Sequence, residues 1–486
     1  MISTVGLLIM SGMLLAAEPV SIGSRLELMI DDYLIEHMSG GATLRLHPPT
    51  PQEIVLVHDA PWEGNSCNYY SVFQDGDLYR MYYRGSGQTL KGEAADHEMT
   101  TCYAESRDGI HWTKPSLGLF EFNGSKDNNI LWMGGSSHDF TPVKDTNPNC
   151  PPETKYKCVG AGDGGLLAFQ SPDGIHWSPM NDGQPVITKG AFDSQNMAFW
   201  DETRKEYRVY FRDFRDGLRD IRTATSQDFI HWTDGQWLAY PGAPAEQLYT
   251  NQIIPYYRAP HIFLGFPTRY VDRGWTPSVE ALPELEHRRM RAALSPREGS
   301  AVTDGLFMTS RDAAIFHRWD EVFIRPGLRT KDNWTYGDNY QNWGIVETKS
   351  AIDDGITELS VYATESYWTG RSCQLRRFTL RMDGFASLHA PRSGGEIITK
   401  PILFDGKDLV LNFSTSAAGS IKIEIQNPDG APIDGFRLED ATDLFGDHLE
   451  HIVPWKDHRD LSALAGKPIC LRIVFNDADL YALRFK

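Results

Sequence analysis

The sequence predicts an all-β protein, and three observations carry that prediction. A heptapeptide recurs: SRDGIHW from Ser106 to Trp112, SPDGIHW from Ser171 to Trp177, SQDFIHW from Ser226 to Trp232, with a looser copy, SRDAAIFHRW, from Ser310 to Trp319. Each copy follows a short apolar strand, TTCYAE, GLLAF, IRTAT and GLFMT in turn. The 486 residues include 43 glycines and 28 prolines, which suits a chain rich in turns. A strand ending in Ser-x-Asp-Gly makes a tight turn: Asp bonds its own backbone, Gly takes φ > 0, and the Trp returns to the core on the next strand. Several short strands repeated at a period above about forty residues mark the blades of a β-propeller. On this reading the Asp and Trp of the repeat organise the fold and carry no chemistry.

Taken in order, SRLELMIDDYLIE is a strand-like entry segment. Blade one is NYYSVF, LYRMYYRG and the strand into the first repeat. Blade two is FTPVKD, KYKCVGAG and GLLAF. Blade three is SQNMAFWD, EYRVYFRDF and DIRTAT. Blade four is LYTNQIIPYY, HIFLGFPTRY and GLFMTS, and blade five NYQNWGIVET, ELSVYATESYW and CQLRRFTLRM. The alternation of aromatic and polar residues predicts antiparallel strands throughout. An insertion in blade four, about Asp272 to Thr303, contains PELEHRRMRAAL, whose early acids and late bases predict a short helix. Past Pro401 the repeat stops, and KDLVLNFSTS, SIKIEIQN, ICLRIVF and ADLYALRF alternate as strands between DG and GK turns. The predicted organisation is a five-bladed β-propeller over residues 18–398 followed by a C-terminal β-sandwich over 399–486.

Met1 to Ala17, apolar and ending in small residues, reads as a signal peptide, so the protein is expected to be secreted or periplasmic. No later segment is long and apolar enough for a membrane span. A formal charge of -18 excludes the basic footprint that nucleic acid requires. The six cysteines show no C-x-x-C pairing, so no metal site is expected. Cys150 and Cys158 are the pair closest in sequence. The residues call for no cofactor, although a structural Ca²⁺ in the channel is left open, as is the oligomeric state. There is no G-x-S-x-G elbow, H-E-x-x-H, P-loop or dinucleotide fingerprint.

Strand direction locates the chemistry. In an antiparallel meander the start of each innermost strand and the end of each second strand share one face, so these positions converge at one end of the channel. They supply the candidate catalytic carboxylates Asp139, Asp193, Asp213, Glu246 and Glu365. They also supply candidate substrate-binding residues: Asn68, Arg84, Gln195, Asn196, Arg212, Arg215, Tyr249, Asn251, Arg269, Asn342 and Trp368. Carboxylates, amides, guanidiniums and aromatic rings together suit a sugar: planar groups for hydroxyls, rings for stacking, paired acids for bond cleavage. Asp213, between Arg212 and Arg215, is expected to stay ionised as base or nucleophile, with Asp193 the alternative. Glu246, after the uncharged Ala243, Pro244 and Ala245, is expected to have a raised pKa and act as general acid. Glu347 is expected toward the far end of the channel. The insertion should overhang the cleft, with Arg288, Arg289 and Arg291 toward the ligand. His111, His176 and His231, inside the repeats, are expected to be structural.

The three repeats, FDSQNMAFWD followed by YFRDF, and the β-rich tail resemble the five-bladed propeller glycoside hydrolases. These are the invertase and levansucrase type and the arabinanase and β-xylosidase type; the closest resemblance is to uncharacterised secreted members similar to the invertase-type domain. The resemblance implies hydrolysis of an oligo- or polysaccharide by carboxylates drawn from different blades. Arg212-Asp213 is similar to the invertase-type Arg-Asp-Pro, with Phe214 in place of Pro. The first-blade Trp-x-Asn-Asp-Pro-Asn is absent, and CNYYS stands there without a carboxylate. Two alternatives are a sialidase-like hydrolase, whose boxes read S-x-D-x-G-x-x-W on six blades, and a non-catalytic carbohydrate-binding propeller.

Overall fold

The computed structural model describes residues 18–88, 97–353, 355–456 and 459–486. The expected signal peptide, residues 1–17, lies outside them. Regular structure is overwhelmingly antiparallel strand in small sheets, and the α-helices among the described residues, Pro277–Glu280, Leu285–Leu294 and Arg297–Ser300, all fall in the predicted insertion. No helix among the described residues is long and apolar enough to cross a membrane. All six cysteines are free thiols.

The chain folds into two compact units, one of residues 46–385 and one combining the N-terminal segment to Arg45 with Ala386–Lys486. In the larger unit four of the five strand trios each form one sheet. Asn68–Asp75, Leu78–Gly85 and Thr100–Ser106 pair in order; so do Thr141–Lys144, Tyr156–Gly162 and Gly165–Ser171, and likewise Met197–Asp201, Glu206–Arg215 and Leu218–Ser226. The fourth set breaks into two ladders, because the second strand is interrupted between Gly265 and Thr268. In the fifth, Val346–Lys349, Thr357–Glu365 and Gln374–Leu380 are joined on the outside by Thr50–Val57, from the far end of the unit's sequence, so the first stretch of the unit zips onto its last sheet. That closing strand, TPQEIVLV, lies outside the repeat and has no counterpart in the sequence-based strand assignment.

The first strands of neighbouring sheets meet side by side. Val72 N–H donates to Trp343 O and Trp343 N–H to Tyr70 O, each at 2.8 Å. The approach is so close that a Cβ on Gly344 would stand 1.8 Å from Val72 O, at a φ of +105°. Polar side chains fill the interior between the strands: Gln195 Nε2 donates to Tyr70 O at 3.0 Å, Asn251 Nδ2 to Gln195 O at 3.0 Å, and Tyr362 N–H to Asn342 Oδ1 at 2.8 Å.

The repeats share one hydrogen-bond design. In the first, Gly109 N–H donates to Ser106 Oγ (2.9 Å), Ile110 and His111 N–H to Asp108 Oδ1 (2.8 Å each), and Trp112 Nε1–H to Gly109 O (3.1 Å). The copies at Ser171 and Ser226 repeat it, and the fourth keeps the Ser310–Asp312 bonds. The fourth turn residue takes positive φ in every copy: Gly109 at 73°, Gly174 at 79°, Phe229 and Ala313 both at 69°. The histidines stay on the surface and contact the turn Asp, as His111 does with Asp108 at 2.7 Å.

In the smaller unit, two long strands, Leu409–Gln426 and Cys470–Phe485, pair along most of their length with bulges. Glu27–Leu28 pairs with the second of them, Ile35–Gly40 with Gly395–Thr399, and Ala386–Ala390 with the last long strand. A core of Leu, Ile and Phe, with Trp455 fully buried, fills this unit. Pairing thus draws the unit boundary at 385/386, not 398/399, and assigns the entry segment here. The strands at 386–399 bond to Cys470–Phe485, a partner no local sequence feature announces.

Candidate active site

A cavity of about 360 Å³ in the larger unit is lined by residues at or just before the starts of all five first strands: Asn68 and Tyr69, His138, Asp193, Tyr249, and Tyr336 with Tyr340. Arg84, Tyr367 and Trp368 join them from second strands or just beyond. A second cavity, of about 390 Å³, is lined by the other ends of the same strands, including Phe73, Lys144, Phe199, Ile254 and Val346. Glu347 lines it, at the far end from Asp193, where the sequence places it.

Asp193 is the exposed carboxylate of the first cavity, its side chain 69 % accessible. His138 Nε2 lies 2.8 Å from Oδ1, and Arg212 Nη2 3.6 Å from Oδ2. Partial burial opposes ionisation, but the His138 contact and the charges of His138, Arg212 and Arg84 outweigh it and hold the carboxyl at about 2. Burial and the charge of Arg84 displace His138 downward, against the pull of Asp193. Nε2 lies beside Asp193 without hydrogen-bond geometry, and Nδ1 faces Arg84 Nη1 at 3.4 Å.

The insertion overhangs this cavity through Leu294, Ser295, Arg297 and Glu298. The three arginines named from sequence do other work. Arg291, 1 % exposed, donates to Tyr367 O at 3.2 Å and Tyr336 O at 3.0 Å, and Arg288 to Asn333 O at 3.1 Å, pinning the helix from below. Arg289 pairs with Glu286 on the outer side. Glu298 is the second carboxylate of the cavity, 18 % exposed. Burial pushes its pKa up, against the opposing charges of Arg291 and Arg297, and among the described residues no hydrogen bond stabilises its anion.

The tyrosines wall the site. Tyr336 O–H donates to Tyr249 Oη at 2.8 Å, and Tyr69, Tyr340 and Tyr367 pack around that pair. Tyr340 Oη is buried with no partner among the described residues. Tyr69 and Trp368 are held at φ of 60° and 54°, a costly conformation for aromatic residues of the kind that gathers at working sites.

Of the residues expected to converge, Asn68, Arg84, Asp193, Tyr249 and Trp368 line the cavity, and Arg212 supports Asp193 from behind. Gln195, Asn196, Asn251 and Asn342 are at most 1 % exposed and spend their amides on the interior bonds between strands. Asp139 is buried beside Asn196, whose Nδ2 reaches it at 2.5 Å, and burial pushes its carboxyl up to about 8. Asp213 does not sit between Arg212 and Arg215. Alternation along the strand turns Arg212 to the opposite face, and Arg215, on the same face as Asp213, is taken by Asp220, so Asp213 pairs with Arg222 at 3.0 Å. Glu246 is gripped by Arg269 at 2.9 Å and Arg318 at 3.1 Å and does not line the cavity, so its uncharged sequence neighbours misrepresent its surroundings. Arg269 is shared with Asp304. Glu365 pairs with Arg376 at 2.6 Å and lines a different cavity, of about 600 Å³. Sequence reasoning missed His138, Arg297, Glu298, Tyr336 and Tyr340. The signal for His138 was its place just before Asp139 at a first-strand start; Glu298 lies in a helix with no repeat to index it.

No family model matches the sequence, and no curated protein matches it. Among solved structures the chain is similar to a glycoside hydrolase at 13 % identity, covering 68 % of this chain and 92 % of that one with a TM-score of 0.43. It is also similar to an N-acetylgalactosamine deacetylase from F. plautii in complex with blood group B trisaccharide (12 %; 69 % and 95 %; 0.43). A third is a Bombyx mori GH32 β-fructofuranosidase (9 %; 91 % and 94 %; 0.38). At TM-scores this low no residue of theirs is matched to one here.

Proposed function

We propose that the five strand sets of the larger unit are the blades of a β-propeller, that the smaller unit is an accessory sandwich, and that the chain is an exported glycoside hydrolase acting in the Asp193 cavity. One observation carries the reading: two carboxylates line one aromatic-walled cavity, and their environments displace them in opposite directions. Asp193 is held ionised and Glu298 is pushed toward the protonated form. Such a split sorts a base or nucleophile from a general acid. His138 and Arg212 orient Asp193, and the ionised carboxylate either activates water or attacks the anomeric carbon. Glu298 gives its proton to the departing glycosidic oxygen, and the tyrosine wall supplies faces on which a sugar ring stacks. The repeat-based resemblance implies the same reaction class.

The test is release of sugar from a panel of fructans, arabinans, xylans and other plant and marine glycans by purified protein, beside Asp193→Asn and Glu298→Gln. Loss of turnover in both variants with binding retained supports the assignment. Sugar binding without cleavage by the unaltered protein favours the non-catalytic module.

A further inference from the structure

The wall of the Asp193 cavity carries more guanidinium than the described carboxylates match. Arg84 lines the cavity and is only 6 % exposed. Its Nη2 donates to Ser66 O at 2.9 Å and Tyr367 Oη at 3.3 Å, its Nη1 faces His138 Nδ1, and its face lies 4.6 Å over the Tyr69 ring. Its Nε is buried without a partner, and among the described residues no carboxylate forms an ion pair with it. Asp193, on the other side of the His138 ring, feels the charge of Arg84 but forms its ion pairs with His138 and Arg212. Arg297, also lining the cavity, has a buried Nη1 without a partner and reaches Glu298 only at 3.9 Å. Behind the wall the buried Arg291 spends itself on carbonyl oxygens and the Thr335 hydroxyl. Burying a cation without a counter-ion is costly, and such arginines persist where a ligand supplies the anion.

We infer that the sugar taken by this cavity bears a negative charge, a carboxylate or a sulfate ester, which docks on Arg84 and Arg297 of its lining. The inference rests on the reading of the cavity as a sugar site and adds the charge of its occupant. A neutral sugar would leave the buried guanidinium edge facing hydroxyls alone. An anionic group would also stand near Glu298, favouring the protonated form that a general acid needs.

The experiment is calorimetric titration of the full chain with sodium glucuronate and galacturonate, with galactose 4-sulfate and 6-sulfate, and with neutral glucose and galactose, at low and at high salt. At least one anionic sugar should bind about tenfold or more tighter than its neutral parent, as a charge-assisted contact in a desolvated site implies. That preference should shrink in high salt, and the carboxylate and sulfate arms identify the group. Arg84→Met should abolish the preference, and Arg84→Lys, which keeps the charge and loses the fork, should retain part of it. Equal or tighter binding of the neutral parents overturns the inference, as does an undiminished preference in Arg84→Met. If the Arg84 variants do not fold, the comparison of charged with neutral sugars on the unaltered protein decides alone. Cleavage of neutral glycans without anionic preference overturns the charge but leaves the hydrolase. Anionic-sugar binding without cleavage of any glycuronan or sulfated glycan upholds the charge and counts against hydrolysis.

Discussion

Asp139 makes the stability of the larger unit depend on pH in a way that one substitution isolates. It is 1 % exposed, accepts from Ala161 N–H at 2.8 Å and from Asn196, and has no cation paired with it among the described residues. Burial, with the nearby charge of Asp193, pushes its carboxyl from 3.8 up to about 8. The folded pKa lies above the unfolded one, so between those values the native state keeps a proton that the unfolded chain has released. The stabilisation is complete below pH 3.8 and drains as pH rises toward 8, at about 1.4 kcal/mol per pH unit for one proton. From pH 5 to pH 7 that is about 3 kcal/mol. Asp139→Asn cannot titrate, so urea unfolding of both proteins at pH 5, 6 and 7 should show the variant gaining on the unaltered protein by about that amount. The constant offset from the altered contact with Asn196 drops out of the slope. Parallel curves across that range would refute the assignment of the proton to Asp139.

Other outcomes follow from the same contacts. Since Glu298 must be protonated and its pKa is raised, kcat/KM should fall on the alkaline side as Glu298 ionises, and that limb should vanish in Glu298→Gln, while Asp193, at about 2, leaves activity intact into mildly acid solution. Arg291→Ala strands the Tyr336 and Tyr367 carbonyls and should cost about 2–4 kcal/mol in urea unfolding, with a raised KM as the insertion loosens. Gly174→Ala, whose Cβ would meet Tyr82 Oη at 2.7 Å at a φ of +79°, should cost about 1–3 kcal/mol, whereas Ala313→Gly, at the equivalent turn position, should fall within about 1 kcal/mol of neutral.

Much of this was legible in the chain. The heptapeptide repeats located the turns because a Ser hydroxyl and an Asp carboxylate satisfy the same backbone donors in each copy. The direction of the meander then brought Asn68, Arg84, Asp193, Tyr249 and Trp368 to one cavity, since strand ends are fixed by pairing alone. What failed depended on partners distant in sequence. Glu246 looked uncharged because Arg269 and Arg318 come from later strands. Asp213 is flanked by arginines in sequence, but Arg212 points to the opposite face of the strand and Arg215 is taken by Asp220 from the next strand. Gln195, Asn251 and Asn342 looked like ligand-binding amides, but the close approach of the first strands consumes them as internal bonds. Glu298 has no periodic frame at all: only the packing of the insertion brings it to the cavity that Asp193 lines.

The central claim, that Asp193 and Glu298 divide the roles of base or nucleophile and acid, is tested most directly by leaving-group dependence. The measurement is kcat/KM of Glu298→Gln and Asp193→Asn on a cleaved glycoside and on its dinitrophenyl counterpart, whose leaving group departs without a proton. The account predicts that Glu298→Gln loses about 10²–10⁴-fold on the natural glycoside and little on the activated one, while Asp193→Asn loses activity on both. Equal losses on the two substrates in Glu298→Gln, or undiminished activity in Asp193→Asn, would contradict it.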